Sequence, residues 1–335
     1  MKVFHLMSGA PFGGVEQRAM LAVNPARAKR FDALGLQPVE MEFPSRFAFL
    51  DRRRINSVIG RFAPDIVISW TPDVAELVQK ENFVHMARLG ADFDHAALLN
   101  KCHHIFTPSQ TRADAAMNAG WSVQQVHVLP HLPMTDEETR SPPLNRKSVY
   151  TPPTAKLIFT SMRLTSKTGL ETLLDALARI SGYYLWIAGD GADREALEAA
   201  AHERGVKPRV RFLGWENNLA PYLAACDMFV YSSRNDDVGE AVTEAWACRA
   251  PVIAADSLGP GLLIRHKENG LLVPVGDAIS MAEAIKWVTQ DTGLVLQLRG
   301  AGLKAFEESF AMDKVAPRYL HLLSILTGKP SGPSA

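Results

Sequence analysis

The sequence predicts an α/β protein built from two Rossmann-like domains, each a doubly wound parallel sheet. Three observations predict it. Short apolar runs of strand length alternate with stretches of helical composition along most of the chain, and strict alternation of that kind gives parallel sheets with helices on both faces. A polar, proline-rich stretch over 135–154 divides the alternation into two halves. At 335 residues the chain is long for one hydrophobic core and comfortable for two. The expected layout is a first domain over 1–135, a linker over 136–155, a second domain over 156–305, and a closing helix with a tail over 306–335.

In the first half, residues 2–7 read as a buried strand followed by a glycine-rich loop, Ser8 to Gly14. Residues 15–23 can be a crossover helix or a second strand but not both, because a parallel connection needs about a dozen residues besides the strand. A short helix is the expectation there. Residues 26–34 read as a helix stopped by Gly35, 39–43 as a strand, 52–62 as a helix ended by Pro64, and 65–70 as the next buried strand. Thr71-Pro72-Asp73 opens a helix, 83–89 is a strand, 102–108 another, Ser109 caps a helix to Ala119, and 126–129 is the last strand. His85 lies within an apolar strand and reads as a satisfied core histidine.

The second half is cleaner. Residues 156–161, 184–188, 210–213, 228–231, 251–255 and 271–273 are six short apolar strands, with helices at 169–180 and 193–204 and a helical close over 281–288 and 294–326. Gly189-Asp-Gly191 follows a strand as a dinucleotide fingerprint would, but Arg194 stands where the third glycine belongs, which argues against a nicotinamide cofactor. The stretch from Asp236 to Pro260 carries the chemistry. A loop opens after the strand 228–231, passes Asp236 and Gly239, and enters a helix over 240–248. Its first amides would point beyond the strand's carboxyl end, where open parallel sheets bind ligands and helix N-termini attract phosphate. The next strand ends in Asp256, Ser257 and Gly259, which read as supports for the same crevice.

Composition excludes several function classes. Apolar content of 47% and charged content of 21% are those of a globular protein. Lys plus Arg equals Asp plus Glu at 36 each, so net charge gives no reason to expect nucleic acid. Cys102, Cys226 and Cys248 are odd in number and set in apolar sequence, as free thiols of a reducing compartment are. No apolar run approaches the roughly 18 residues of a membrane span, and the first residues lack a signal-peptide core. A cytoplasmic protein is expected.

Asp236, seven residues and then Glu244, followed by Ala-Trp-Ala, a small-residue strand and Gly259-Pro260, resemble the E-x7-E region of the retaining glycosyltransferases of family 4, bacterial surface-polysaccharide and lipopolysaccharide enzymes among them. Arg163 and Lys167 after a strand resemble that family's diphosphate-holding pair. Ile187 to Gly191, Val210 to Trp215 and Asn269 to Pro274 follow in the family's order. Asp236 departs from the pattern, which has Glu at that position.

The resemblance implies a GT-B fold, two domains facing a central cleft, with the last helix crossing back to the first domain. It implies a metal-independent hexosyltransferase with no cofactor, taking a UDP- or GDP-sugar as donor substrate and a saccharide or lipid-linked acceptor, and retaining anomeric configuration. Arg163 and Lys167 would hold the diphosphate, Glu244 the ribose hydroxyls, and Asp236 the sugar. Gly13, Gly14, Gly189, Trp215, Gly239, Glu240 and Ala241 would complete the donor site, and Arg88 or His95 would touch sugar or acceptor. Trp215 would lie near the base, with a core tryptophan as the other reading, and a solvated turn is the other reading of Arg163 and Lys167. Asp92-Phe-Asp94 has the form of a D-x-D metal motif, but that motif belongs to a different transferase fold that lacks the diphosphate pair. Arg27, Lys29, Arg30 and Arg52 to Arg54 would either meet anionic lipid, giving peripheral contact with the inner membrane, or form a solvated helix face. The alternative to an enzyme is a non-catalytic relative serving as a nucleotide-binding or partner-binding scaffold. A complete first helix over 14–25 favours the enzyme and its absence the scaffold.

Overall fold

The computed structural model describes residues 1–6, 16–22, 39–41, 48–70, 72–79, 82–89, 101–132, 134, 136–216 and 218–330. Gly13, Gly14, His95, the expected helix at 26–34 with Arg27, Lys29 and Arg30, and Asp92 to Asp94 lie outside them. The chain forms two compact units, Met1–Leu132 together with Val315–Ala335, and Pro133–Lys314.

The first unit is a parallel sheet of seven strands. They are β1 (Lys2–Leu6), β2 (Glu16–Ala22), β3 (Val39–Met41), β4 (Ile66–Ser69), β5 (Val84–Arg88), β6 (His104–Thr107) and β7 (Val126–Val128), in the order β3-β2-β1-β4-β5-β6-β7. Residues 16–22 correct the expectation of a helix. They pair with β1 from Lys2↔Glu16 to Leu6↔Met20. The reason is tertiary: β1 is a central strand, and its amides and carbonyls on the side away from β4 need a partner strand once buried. That demand outweighs the helix-forming residues of the segment.

Side chains alternate between the sheet's two faces, as the pleat requires. Phe4 and Val67 pack against Ile55, Ile59 and Phe62 of the helix Ala48–Phe62. Val3, Ile66, Ile68, Met86 and Phe106 pack against Val315, Tyr319 and Leu323. The last three sit four residues apart on the helix Met312–Thr327, so one face of this C-terminal helix covers one face of the sheet. The Tyr319 hydroxyl donates to the Pro130 carbonyl at 2.8 Å, and Lys329 pairs with Asp65 at 2.6 Å. His85 is fully buried with its Nε2 2.9 Å from the Ser69 hydroxyl, the satisfied core histidine expected.

The second unit has six parallel strands: β8 (Lys156–Ser161), β9 (Tyr183–Ala188), β10 (Val210–Gly214), β11 (Met228–Tyr231), β12 (Val252–Ala255) and β13 (Leu271–Val273). Their order is β10-β9-β8-β11-β12-β13. The sequence runs outward in opposite directions from β8 and β11, so the sheet's topological switch point lies between those two strands.

Residues 136–155, expected as a linker, are packed into this unit. The Asn145 side chain accepts from the Lys147 amide at 3.1 Å and caps the turn Arg146–Val149. The Arg146 guanidinium donates to the carbonyls of Ala225 and Ala155, at 2.6 and 2.7 Å, and meets Asp227 at 3.1 Å. Buried Trp186 donates its indole N–H to the Thr151 hydroxyl at 2.8 Å. Proline and polar residues gave the stretch a linker's composition, while these long-range bonds tie it to the sheet.

The helix Glu240–Ala247 is fixed from behind. Its Trp246 is buried and donates Nε1–H to the Asn269 carbonyl at 2.9 Å. Gly302 of the helix Thr292–Ser309 lies against that indole so closely that a Cβ at 302 would collide with Trp246 Cδ1. Overpacking a filled core costs about 1–3 kcal/mol, so Gly302→Ala should destabilise the protein by that amount in urea denaturation.

His127 and His104 form a second testable feature, with Nε2 and Nδ1 3.1 Å apart. Burial, and then the neighbouring His104, lower the pKa of His127 from 6.5 to about 4. Burial, and then His103, lower that of His104. The unfolded chain therefore takes up protons that the folded unit refuses, and stability falls as pH falls from 6.5 through about 4. Melting temperature recorded across this window should drop less steeply in His127→Gln than in wild type.

Candidate functional site

The site grows from the carboxyl ends of β8 and β11, on either side of the switch point. Beyond β8, Met162 and Leu164 are buried and Arg163 between them is exposed, continuing the strand's alternation. The Met162 amide donates to the Ala188 carbonyl and the Leu164 amide to the Asp190 carbonyl, both at 3.0 Å, so this loop extends the β8–β9 ladder. Gly189 (φ 128°) and Gly191 allow the contact: a Cβ on the first would strike the Met162 carbonyl, and on the second the Leu164 carbonyl. The Asp193 carboxylate then accepts from the Ser166 amide at 2.6 Å. On the other side, a Cβ on Gly169 (φ 68°) would strike the Ser232 carbonyl beyond β11. The segment bearing Arg163 is thus braced from both neighbouring strands. The Arg163 carbonyl accepts from the Thr165 amide at 3.0 Å, but no hydrogen-bonding or ionic partner for its guanidinium lies among the described residues. Lys167 falls in the single turn Ser166–Thr168.

The β11 side is built by Asp236. Its carboxylate oxygens accept from the Val238 amide at 2.9 Å and the Gly239 amide at 3.0 Å. Its carbonyl accepts from the Gly259 amide at 2.8 Å. Gly239 (φ 78°) adopts a left-handed conformation that glycine takes without strain, and starts the helix Glu240–Ala247. An added Cβ at Gly259 would lie 2.5 Å from both the Gly239 and Val238 nitrogens. The loops after β11 and β12 therefore touch backbone to backbone. Tyr231 joins the cluster: burial, and then the charge of Asp236 beside it, push its pKa well up. The Ser257 hydroxyl is buried with no partner among the described residues.

Glu240, Glu244 and Cys248 recur every four residues and share one face of the helix and its cap. Burial, and then the charges of Glu244 and Glu138, push the Cys248 thiol up to about 12, so it stays protonated and unreactive at neutral pH. Trp215 follows the end of β10 and is 68% exposed, which excludes the core reading. The Gly189 amide donates to the Gly214 carbonyl at 2.7 Å, immediately before that tryptophan.

The structure therefore brings Arg163, the Lys167 backbone, Asp236, Gly239, Glu240, Ala241 and Glu244 to two adjacent strand ends. Gly189 has a packing role in the structure: the space a Cβ would take is filled by the Met162 carbonyl, and its amide is engaged by the Gly214 carbonyl. Arg88 closes β5 in the first unit and is part-exposed. Three contributors went unnoticed in the sequence. Asp193 stands just before a helix and reads locally as a cap, although its carboxylate serves Ser166. Tyr231 reads as strand core. Arg234, exposed beyond β11, is 3.5 Å from the Thr172 hydroxyl with its stem over Gly169, a placement no local pattern announces. Chemically, an exposed guanidinium after one strand and a helix start after the adjacent strand, on either side of a switch point, suit an anion such as a phosphate. Among the described residues, no group of three His, Cys, Asp or Glu side chains is placed to hold a metal ion.

Comparison with known proteins agrees with this geometry. Residues 143–304 match the family model for glycosyl transferases group 1. The chain is 31% identical over 325 residues to the lipopolysaccharide core biosynthesis glycosyltransferase LpsE of Rhizobium meliloti strain 1021, covering 96% of this chain and 94% of that one. It is 28% identical to LpsD of the same strain, covering 96% and 98%. Among solved structures, Anabaena HepE in complex with UDP and glucose superposes with a TM-score of 0.79 at 19% identity, covering 97% of this chain and 100% of that one. These alignments run nearly end to end, so a strand at Glu16–Ala22 in place of a helix does not mark this chain as a truncated relative. The sequence expectation that such a strand would favour a non-catalytic scaffold is thereby set aside. With GT-B structural neighbours and a near full-length glycosyltransferase relative, the chain belongs to the group 1 glycosyltransferases and is an enzyme of the GT-B fold.

Proposed function

We propose that this glycosyltransferase moves a hexosyl group from a nucleoside-diphosphate sugar, with retention of anomeric configuration and without a metal or cofactor, to a saccharide or lipid-linked acceptor of lipopolysaccharide core synthesis. The observation that carries the donor assignment is Arg163: exposed, unpaired among the described residues, and braced at the switch point opposite the start of the helix Glu240–Ala247. An unpaired arginine held in place is a ready partner for a diphosphate, binding it through a two-pronged charge-assisted fork. The names and end-to-end similarity of LpsE and LpsD support the acceptor side.

In the transfer, the bond between the sugar's anomeric carbon and the phosphate oxygen breaks, and its electron pair stays on the diphosphate. The acceptor hydroxyl oxygen forms the new bond on the same face, and its proton passes to the departing phosphate oxygen. No protein nucleophile is required. The chain's task is to hold the growing phosphate charge with Arg163, Lys167 and the Ala241 amide at the helix start. Glu244, one turn into the helix and part-buried, is suited to accept from the ribose hydroxyls. Exposed Trp215 offers a stacking face for the base. Exposed Arg52 to Arg54 on the first unit's helix give anionic lipid a basic surface, as a lipid-linked acceptor would need.

Two predictions test this reading. In a thermal-shift screen against UDP-, GDP- and ADP-sugars with EDTA present, one nucleotide class should raise the melting temperature of wild type by a few degrees. Saturation at about a hundred times Kd stabilises by roughly 2.7 kcal/mol. Arg163→Ala should weaken that ligand roughly tenfold to a hundredfold, the usual worth of a charged hydrogen bond. No shift with any nucleotide sugar would remove the donor site from this crevice. With the donor in hand, proton NMR of the product should show the donor's anomeric configuration. An inverted product would exclude the proposed same-face attack.

A further inference from the structure

We propose that Asp236 is a positioning residue: it builds the phosphate-binding loop at the start of the helix Glu240–Ala247 and does not contact the transferred sugar. The inference rests on the donor-site reading above and departs from what resemblance alone assigns to this position.

The geometry turns Asp236 inward. Both of its carboxylate oxygens are engaged by its own loop, one by the Val238 amide at 2.9 Å and one by the Gly239 amide at 3.0 Å. The Tyr231 phenol lies beside the same carboxylate, whose charge, after burial, raises the phenol's pKa. On the backbone side, the Asp236 carbonyl takes the Gly259 amide at 2.8 Å. Asp236 is held at both ends.

Side-chain length explains why this chain carries Asp. An aspartate closes a compact turn onto amides two and three residues ahead, as Asp and Asn do in turns and helix caps. A glutamate, one methylene longer, carries its oxygens past those amides and out of the loop. The shorter acid therefore exchanges reach for rigidity. It also decides which amides remain for a ligand. Val238 and Gly239 spend theirs on Asp236, and Val242 and Thr243 spend theirs on the Gly239 carbonyl, at 3.0 and 3.3 Å. Between them, the Ala241 amide has no acceptor among the described residues. The left-handed Gly239 that aims this first turn is set by the carboxylate it donates to.

The test separates a contact with phosphate-binding backbone from a contact with sugar. Calorimetric titrations of wild type, Asp236→Ala, Asp236→Asn and Tyr231→Phe would use uridine, UDP and UDP-glucose, or guanosine, GDP and GDP-mannose if wild type selects guanine. Asp236→Ala should weaken the diphosphate and the sugar nucleotide by the same factor, about tenfold for a disordered charge-binding turn, and leave the nucleoside unchanged. Asp236→Asn, whose one amide oxygen can keep only one of the two backbone bonds, should recover part of that affinity although its charge is gone. Tyr231→Phe should show the same signature more weakly, and it decides the matter if Asp236→Ala does not fold. A variant that binds UDP as wild type does but loses UDP-glucose would overturn the proposal and put the carboxylate on the sugar. Equal loss of all three ligands would overturn it in favour of a general structural role. Absence of any nucleotide binding by wild type would instead remove the donor reading on which it stands.

Discussion

The second unit depends on one constraint, the close approach of backbone to backbone where four parallel strands end. At Gly169, Gly189, Gly191, Gly239 and Gly259 a Cβ would run into a neighbouring loop's amide or carbonyl, or into a packed side chain. Loops that touch in this way cannot slide past one another without breaking the bonds that join them, such as Leu164 to Asp190 and Gly259 to Asp236. Rigidity matters because these loops carry the charges. A guanidinium fixed before the ligand arrives needs no reorganisation when phosphate charge develops. Arg163 is exposed, yet the residues on both sides of it, Met162 and Leu164, are anchored in the core.

A second layer keeps the helix Glu240–Ala247 where that constraint puts it. Trp246 fills the space beneath the helix, its indole N–H fixed on Asn269 and its ring against Gly302. The segment before β8 acts similarly on the strands. Arg146 bonds three carbonyls, those of Ala225, Pro153 and Ala155, and Asp227, and the second carboxylate oxygen of Asp227 takes the Leu157 amide at 2.7 Å, linking the starts of β8 and β11. The two strands flanking the switch point are thus bound at one end by an ion pair and at the other by interlocked turns.

Much of this was legible in the sequence, and the exceptions have physical causes. The strands of the second unit are short apolar runs between glycine- and proline-containing turns, so β8, β11 and β13 fall on the expected residues. Arg163, Gly239 and the helix from Glu240 were legible because strand, loop and helix follow in immediate succession. Glu16–Ala22 was not: its sequence, EQRAMLA, holds good helix formers and no β-branched residue, and only the need of β1 for a neighbour makes it a strand. The bonds of Asp193 and Arg146 span sequence separations of 27 and 81 residues. Local pattern holds no trace of such partners. The packing role of Gly189 was not legible either, because glycines after strands look alike, whether the space beside them is kept for a ligand or for another loop.

Charge balance at the switch point ties these observations together. The helix that faces the anion site carries Glu240 in its first turn and Glu244 one turn on, and Asp236 precedes it. Three carboxylates beside a diphosphate would oppose binding if all of them faced it. Asp236 avoids this by turning its carboxylate onto two backbone amides, whose dipoles stabilise its charge within the loop. Arg163, the backbone turn bearing Lys167, and Arg234 stand on the β8 side and at the end of β11, so positive charge gathers across from the acidic helix. A ligand that is anionic at one point and rich in hydroxyls at another fits such a divided surface. A simple phosphate satisfies only the cationic half, and a neutral sugar only the acidic half. The same inward turn of Asp236 that orders the loop thus also lets an acidic helix start serve a negatively charged substrate.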